Sequence, residues 1–212
     1  MKNIRKASKA RPVADKVYSS ILERIMDGRW QPGSLFDRRS VAKELGVSIA
    51  PVGEAMVRLE EDGFVVNLPR KGTMLRPCDP RKLYESMILR EAVECEAAYL
   101  AFGRLKASER TLRKLAKEAD SELGIAADSE FHRQLVSSAG VEKLSEQFER
   151  LLRQMLFDEL SLLDAVKQIG DAHAKLLDEL LSAQSASAAA ERMRKHLRKS
   201  RESLFARFEI KN

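Results

Sequence analysis

From Val13 to Asp27 the apolar residues Val13, Val17, Ile21 and Ile25 recur every four positions, which predicts an amphipathic helix with one buried stripe. Gly28 supplies its left-handed stop, and Pro32-Gly33 a turn. A short helix from about Asp37 to Leu45 turns Val41, Ala42 and Leu45 inward and ends at Gly46. Ser48 is placed to cap a third helix, with Pro51 tolerated in its first turn because those N–H groups lack intrahelical partners. That helix carries Val52, Ala55, Met56 and Leu59 and stops near Gly63. Two β-prone runs follow, Phe64 to Leu68 and Thr73 to Arg76, around the basic turn Pro69-Arg70-Lys71-Gly72, and read as a hairpin. Helix, helix, turn, helix and hairpin in this order predict a winged helix-turn-helix over residues 13–76, preceded by a polar, flexible arm over residues 1–12.

Beyond Pro77 and Asp79-Pro80 the pattern is helical throughout. Asp79 is placed to cap a long helix whose apolar residues Leu83, Met87, Ala97 and Leu100 extend to Gly103. Further helices are predicted from Ser108 (Leu112, Leu115, Ala119), from Asp128 to Ala139, and from Val141 to about Leu160, the last with Leu144, Phe148, Leu151, Leu152 and Met155 inward. Two more run from about Asp171 to Leu181 and from about Ala188 to Phe208. The fold class expected is mainly α: the winged domain, then an antiparallel all-α bundle of six or seven helices over residues 77–212.

Composition changes this picture in two respects. The apolar fraction, 44% of 212 residues, suffices for packed cores, and no apolar run approaches the roughly 18 residues of a membrane span. No apolar segment follows the basic Met1 to Lys6, so no secretory leader is expected. Two cysteines, Cys78 and Cys95, make neither a disulfide framework nor a zinc ribbon, and a reduced, cytoplasmic protein is the expectation. The net charge of +6 is localised: residues 1–76 hold 15 Lys/Arg against 9 Asp/Glu, whereas residues 77–212 hold 23 of each. The positive excess therefore sits on the winged domain and its arm, as a partner of a polyanion requires, although a solubilising tail has the same charge.

A recognition helix places short polar or cationic side chains in the major groove while flanking cations and amides hold phosphates. Arg38 and Arg39 open the second helix, Ser48 opens the third, Arg58 lies further along it, and Arg70-Lys71-Gly72 forms the hairpin tip. Each Arg alone is most simply a solvated surface charge; their order together with the charge asymmetry favours double-stranded DNA. The run Pro32-Gly33-Ser34-Leu35, Val41 to Ser48, Pro51-Val52, Glu54-Ala55, Arg58 to Val65 and Pro69 to Gly72 resembles the DNA-binding domain of GntR-family bacterial transcription regulators. The resemblance implies a homodimer on a palindromic operator, each wing reaching the flanking minor groove. Two positions depart from it: Ile49 and Gly53 stand where the family usually has arginine. Base readout is then expected to be unusual, with much of the affinity coming from phosphate contacts and hence dependent on salt.

The second constellation gathers every histidine. Asp128 and His132 are spaced i, i+4 on one helix face, His173 lies on the penultimate helix and His196 on the last. Three imidazoles and one carboxylate suit a divalent transition metal such as zinc, nickel or manganese. A surface Asp–His pair and separately buried histidines fit the same spacing. Asp128 to Arg133, Ala172 to Asp178 and Met193 to Leu197 resemble the ligand segments of the FCD effector-binding domain, the helical half of FadR-type GntR regulators. That resemblance implies a metal held by Asp128, His132, His173 and His196, with a small carboxylate effector completing its coordination. Leu89 to Glu94 resembles the domain's first helix, which makes Arg90 the candidate partner of the effector carboxylate, the alternative being a helical salt bridge to Glu94. Val141 stands where the family often has asparagine.

Three function classes follow: a ligand-responsive transcription regulator, expected to be a repressor; a metal-dependent hydrolase-like enzyme; and an architectural DNA binder whose helical half only dimerises. Against the enzyme, the chain carries no HExxH, nucleophile elbow or phosphate loop.

Overall fold

The computed structural model describes residues 11–121, 125–162 and 172–206. The chain divides into two compact units, one ending at Cys78 and the other beginning at Asp79. Residues 1–10 of the expected basic arm lie outside the described residues, and Arg11 and Pro12 belong to the first helix rather than to the arm.

The first unit runs α1 (Arg11–Met26), β1 (Leu35–Phe36), α2 (Arg38–Leu45), α3 (Ile49–Glu61), β2 (Val65–Leu68) and β3 (Gly72–Leu75). The buried stripe of α1 is Ala14, Val17, Tyr18, Ile21 and Ile25; Val13, expected at its head, is 40% exposed. This stripe packs on α3, whose Val52, Ala55, Met56 and Leu59 are buried with Phe64 and Leu75 below them. Asp37 caps α2, its carboxylate accepting from the N–H groups of Arg39 and Ser40, both at 3.2 Å. Ser48 holds the cap position of α3 with extended backbone, but its side chain makes no capping hydrogen bond, contrary to expectation. The hairpin forms as read, with Val65 opposite Leu75 and Leu68 opposite Gly72. Sequence reading missed β1, two residues that pair antiparallel with β3 and make the order β1-β3-β2. Two residues are too few to show alternation.

The second unit comprises α4 (Pro80–Leu100), α5 (Leu105–Ala119), α6 (Ile125–Ser137), α7 (Glu142–Leu162), α8 (His173–Leu181) and α9 (Ala186–Phe205), the six helices of the described residues. Asp79 caps α4 through the Arg81 N–H at 2.9 Å, with Pro80 in the first turn where no N–H is needed. One core cluster joins Ala97, Ala98 and Ala101 with Leu112, Phe131, Leu135, Phe148, Leu152, Leu177 and Met193. A smaller one joins Leu83 and Met87 to Leu151, Met155, Leu204 and Phe205. Between these apolar ends, α4 turns Arg90 and Glu94 inward, both buried; Leu100, expected on the inner face, is 37% exposed. The charged middle of an otherwise apolar stripe is what lies beside the histidines.

Candidate functional site

Asp128 and His132 project from one side of α6, one turn apart, while His173 is the first residue of α8 and His196 lies in the middle of α9. The three imidazoles converge, each offering a ring nitrogen within 4.8 Å of the others. Asp128 joins them, its Oδ1 lying 2.9 Å from His173 Nε2 and 3.8 Å from His132 Nε2. The four residues chosen from the sequence therefore meet at one place, and Arg90 stands beside them with a terminal nitrogen 3.6 Å from Asp128 Oδ2.

Two acids that sequence reading did not single out hold the imidazoles in place. Glu94, fully buried, uses one oxygen to accept from Arg90 Nε at 2.6 Å and the other to accept from His132 Nδ1. The i, i+4 pair of Arg90 and Glu94 is thus real, and it is also the support of a histidine. Asp120, at the end of α5, accepts from His173 Nδ1 at 2.9 Å and from the backbone N–H of His173 at 2.8 Å and of Ala174 at 3.1 Å. Ala172 offers α8 no side-chain cap, so Asp120 caps that helix from a distance and orients its first side chain at once. Glu94 had a signal: it continues the buried stripe Leu83, Met87, Arg90, Ala97, Ala101. Asp120 had none, because its partners are fifty residues away.

These partners set the protonation states. Burial alone would raise Asp128, but Arg90 and the hydrogen bond from His173 outweigh it and hold the carboxylate below its ordinary range. Burial likewise opposes ionised Glu94, and His132 and Arg90 reverse the balance. His173 is pulled down by burial but held above the ordinary histidine value by Asp128 and Asp120, which receive both of its ring nitrogens. His196 is pushed down to about 3 by burial and by the neighbouring His132, His173 and Arg90, so its ring is neutral near pH 7. Opposite Arg90, burial and the charges of Asp128 and Asp158 push Glu159 up to about 7 against the pull of Arg90.

The donor set fits a divalent transition metal on one further observation. His132 Nε2 is buried and has no hydrogen-bond partner among the described residues. An orphaned buried nitrogen costs about 1–3 kcal/mol, and a bound cation is what would use its lone pair. With Nδ1 engaged by Glu94, Nε2 is the nitrogen left for a metal.

In the first unit, Arg38 reaches Thr73 Oγ1 of β3 at 3.4 Å, which places the start of α2 against the wing. Arg39, Ser48, Arg70, Lys71 and Gly72 are exposed. Arg58 is already engaged, ion-paired with Asp15 and lying 4.5 Å over the Tyr18 ring, so as a DNA contact it would first have to give up both. Gly72 has φ +102° and a Cβ there would stand 3.2 Å from the Phe36 carbonyl, so the wing itself requires this glycine, whatever else approaches it. The non-glycine left-handed residue of the tip is Arg70, at φ 64°.

A winged helix-turn-helix unit together with an all-helical unit carrying a buried histidine cluster defines a DNA-binding transcription regulator. Residues 13–75 match the family described as bacterial regulatory proteins, gntR family, and residues 85–199 match the FCD domain. The chain belongs to the GntR family, in the branch that carries an FCD domain. It is 35% identical over 133 residues, 58% of its length and 78% of the relative's, to an uncharacterised helix-turn-helix transcriptional regulator of the TAR-I ttuE-ttuC' intergenic region of Agrobacterium vitis. It is 25% identical over 166 residues, covering 71% of this chain and 72% of the relative, to the transcriptional repressor RspR of Escherichia coli strain K12. The solved structure of E. coli McbR/YncC shares the fold with a TM-score of 0.65 at 20% identity, over 92% of this chain and 98% of that one. No helix of the described residues is long and apolar enough to cross a membrane.

Proposed function

We propose that this regulator is a homodimeric repressor that senses a small carboxylate at a divalent transition metal bound by Asp128, His132, His173 and His196. The observation that carries the reading is the convergence of three imidazoles, one with an unpartnered buried nitrogen, beside an ionised aspartate. The metal would supply a Lewis-acidic centre on which a carboxylate can be held. The residues around it do the rest: Glu94 and Asp120 fix the rings, and Arg90 is the cation available to an anionic effector. Loading requires His173 Nε2 to release the proton it shares with Asp128, so uptake depends on pH.

DNA binding by the winged unit follows from the family. Contacts by Arg38, Arg39, Ser48, Arg58, Arg70, Lys71 and Gly72 to a palindromic operator are part of the proposal, Arg58 at the cost of its pairing with Asp15. Exposed Ile88, Leu89 and Tyr99 on α4 support a second copy of the chain as partner. Regulation then requires that effector and DNA change each other's affinity by the same factor.

The test measures metal content and stability of the full-length protein. The wild type is expected to hold one zinc, nickel or manganese ion per chain and to lose it on combining His132→Ala with His173→Ala. A small carboxylate present at a hundred times its Kd with metal should add about 2.7 kcal/mol of stability, and Arg90→Lys should weaken that gain. Full metal content in the double variant refutes the site; a carboxylate response that is equal with and without metal refutes the sensing mode.

A further inference from the structure

The solvent-facing side of α3 carries exposed apolar side chains beside its acids. At 100° per residue, Pro51, Val52, Ala55, Met56 and Leu59 fall on one arc and are buried; Ala50 and Val57 fall opposite it, between Gly53 and the acids Glu54 and Glu61, and Ile49 lies at the edge of the buried arc, next to Met56. Ile49 is 49% and Val57 52% exposed. Arg58 is the single Lys or Arg of the helix, and it is engaged with Asp15 and Tyr18. The other charged groups on the helix, Glu54, Glu60 and Glu61, repel phosphate. A helix that enters the major groove with such a face has one apolar feature of the base pairs to meet, the C5-methyl of thymine.

We infer that α3 reads thymine methyl groups, with Ile49, Ala50 and Val57 as the specificity-determining residues. The cations flanking this face, at the start of α2 and at the wing tip, carry the phosphate contacts. Charge complementarity selects DNA as the occupant: exposed Arg39, Arg70 and Lys71 stand on the same unit, and this unit together with the basic arm before it holds the whole positive excess of the chain. The inference rests on the placement of α3 in the major groove and names what that helix recognises there.

The full-length protein is used to select duplexes from a random-sequence library, and each thymine of the selected half-site is then replaced in turn by deoxyuridine, which lacks only the methyl. Thymine-rich half-sites are expected, with a loss of about fourfold in affinity for each methyl contacted. Ile49→Ala or Val57→Ala, both at exposed positions, should abolish the loss at the thymine each one touches. A Cβ at Gly53 meets nothing within 4 Å, so Gly53→Arg should fold and bring guanine into the selected sequences. Deoxyuridine without effect at every thymine, or a pattern of losses that neither alanine variant changes at any thymine, overturns the inference while leaving DNA binding intact. A protein that selects no sequence at all instead refutes the groove placement of α3, and the inference with it.

Discussion

Replacing Glu94 by glutamine changes one oxygen of a buried side chain into an NH2 group and nothing else in size. The carboxylate serves two donors, Arg90 Nε at 2.6 Å through Oε1 and His132 Nδ1 through Oε2. An amide can accept from only one of them. If its oxygen stays on Arg90, the NH2 faces His132 and Nδ1 must accept, which moves the ring proton to Nε2. That is the nitrogen with no other partner, and protonated it has no lone pair for a metal. If the oxygen turns to His132 instead, two donors abut and a buried guanidinium keeps only Asp128, 3.6 Å away. The first arrangement is the cheaper one, so the variant is expected to fold with the wrong imidazole tautomer.

Two magnitudes follow. Loss of a carboxylate that supports a metal-binding histidine lowers metal affinity about 10–100-fold, or ~1.4–2.8 kcal/mol. Stability of the metal-free protein falls by about 2–3 kcal/mol, less than the ~3–5 kcal/mol of deleting one member of a buried pair, because the amide keeps one hydrogen bond. Competition against a chromophoric chelator reads the first and calorimetry in excess chelator the second. Glu91→Gln is the control: Glu91 lies on the same helix but pairs with Arg198 at 2.9 Å and Arg201 at 2.8 Å on α9, and its loss should leave metal affinity unchanged. Wild-type zinc affinity in Glu94→Gln, or an equal loss in Glu91→Gln, refutes the tautomer argument.

Three further outcomes are expected. DNA affinity should fall steeply with salt, and Arg39→Ala and Lys71→Ala should each reduce the slope of log K against log salt by about 1; slopes equal to wild type would remove both residues from the phosphate contacts. Gly72→Ala should destabilise the winged unit by about 1–3 kcal/mol in urea unfolding, since the residue has φ +102° and its Cβ would crowd the Phe36 carbonyl, and an unchanged midpoint would contradict this. Burial is the main cause that pushes the Cys95 thiol up to about 11, so its thiolate is about one part in a thousand at pH 8, and its alkylation rate should rise about tenfold per pH unit up to pH 10. The folded state keeps that proton where the unfolded thiol loses it, so this group also withdraws stability as pH rises above about 8.5; an alkylation rate that levels off below pH 9 would show an ordinary thiol.

What the chain reveals before folding depends on how local the cause is. The helices were legible because their apolar spacing is local, and so was the Asp79 cap, which lies beside the N–H group it satisfies; Asp37, read as the start of α2, caps it instead. The meeting of the three histidines was legible through resemblance alone: spacing places Asp128 above His132 but says nothing of α8 or α9. Arg90 was marked by resemblance, whereas Glu94, on the same stripe, entered only as its helical salt-bridge partner, because spacing alone does not tell an inward-facing ion pair from a solvated one. Periodicity misled at Val13 and Leu100, apolar residues that lie outside the buried arc of their helices. Asp120 and β1 were invisible since each acts through partners far along the chain, a helix end in one case and a strand in the other.

An apolar reading helix limits what the regulator can distinguish, and that limit bears on how it can be switched. Three side chains on thymine methyls, at about 0.8 kcal/mol for each methyl removed from water, give about 2.4 kcal/mol per helix, roughly a 60-fold preference. Bidentate arginine contacts would give about 1–3 kcal/mol each. In a proposed homodimer two helices act together and the preferences multiply to about 4,000-fold, near the lower edge of what specific DNA binders achieve over random sequence. Neither head then suffices by itself. An effector need only shift one reading helix out of register to remove about 60-fold, which lies inside the ~5–150-fold range over which ligand and DNA sites are ordinarily coupled. The ratio of affinities for a selected duplex and a scrambled one, measured at about 0.15 M salt, is therefore expected at about a few thousand. A ratio of about a million would require strong polar base contacts, from Arg58 or elsewhere, and would refute readout by apolar side chains.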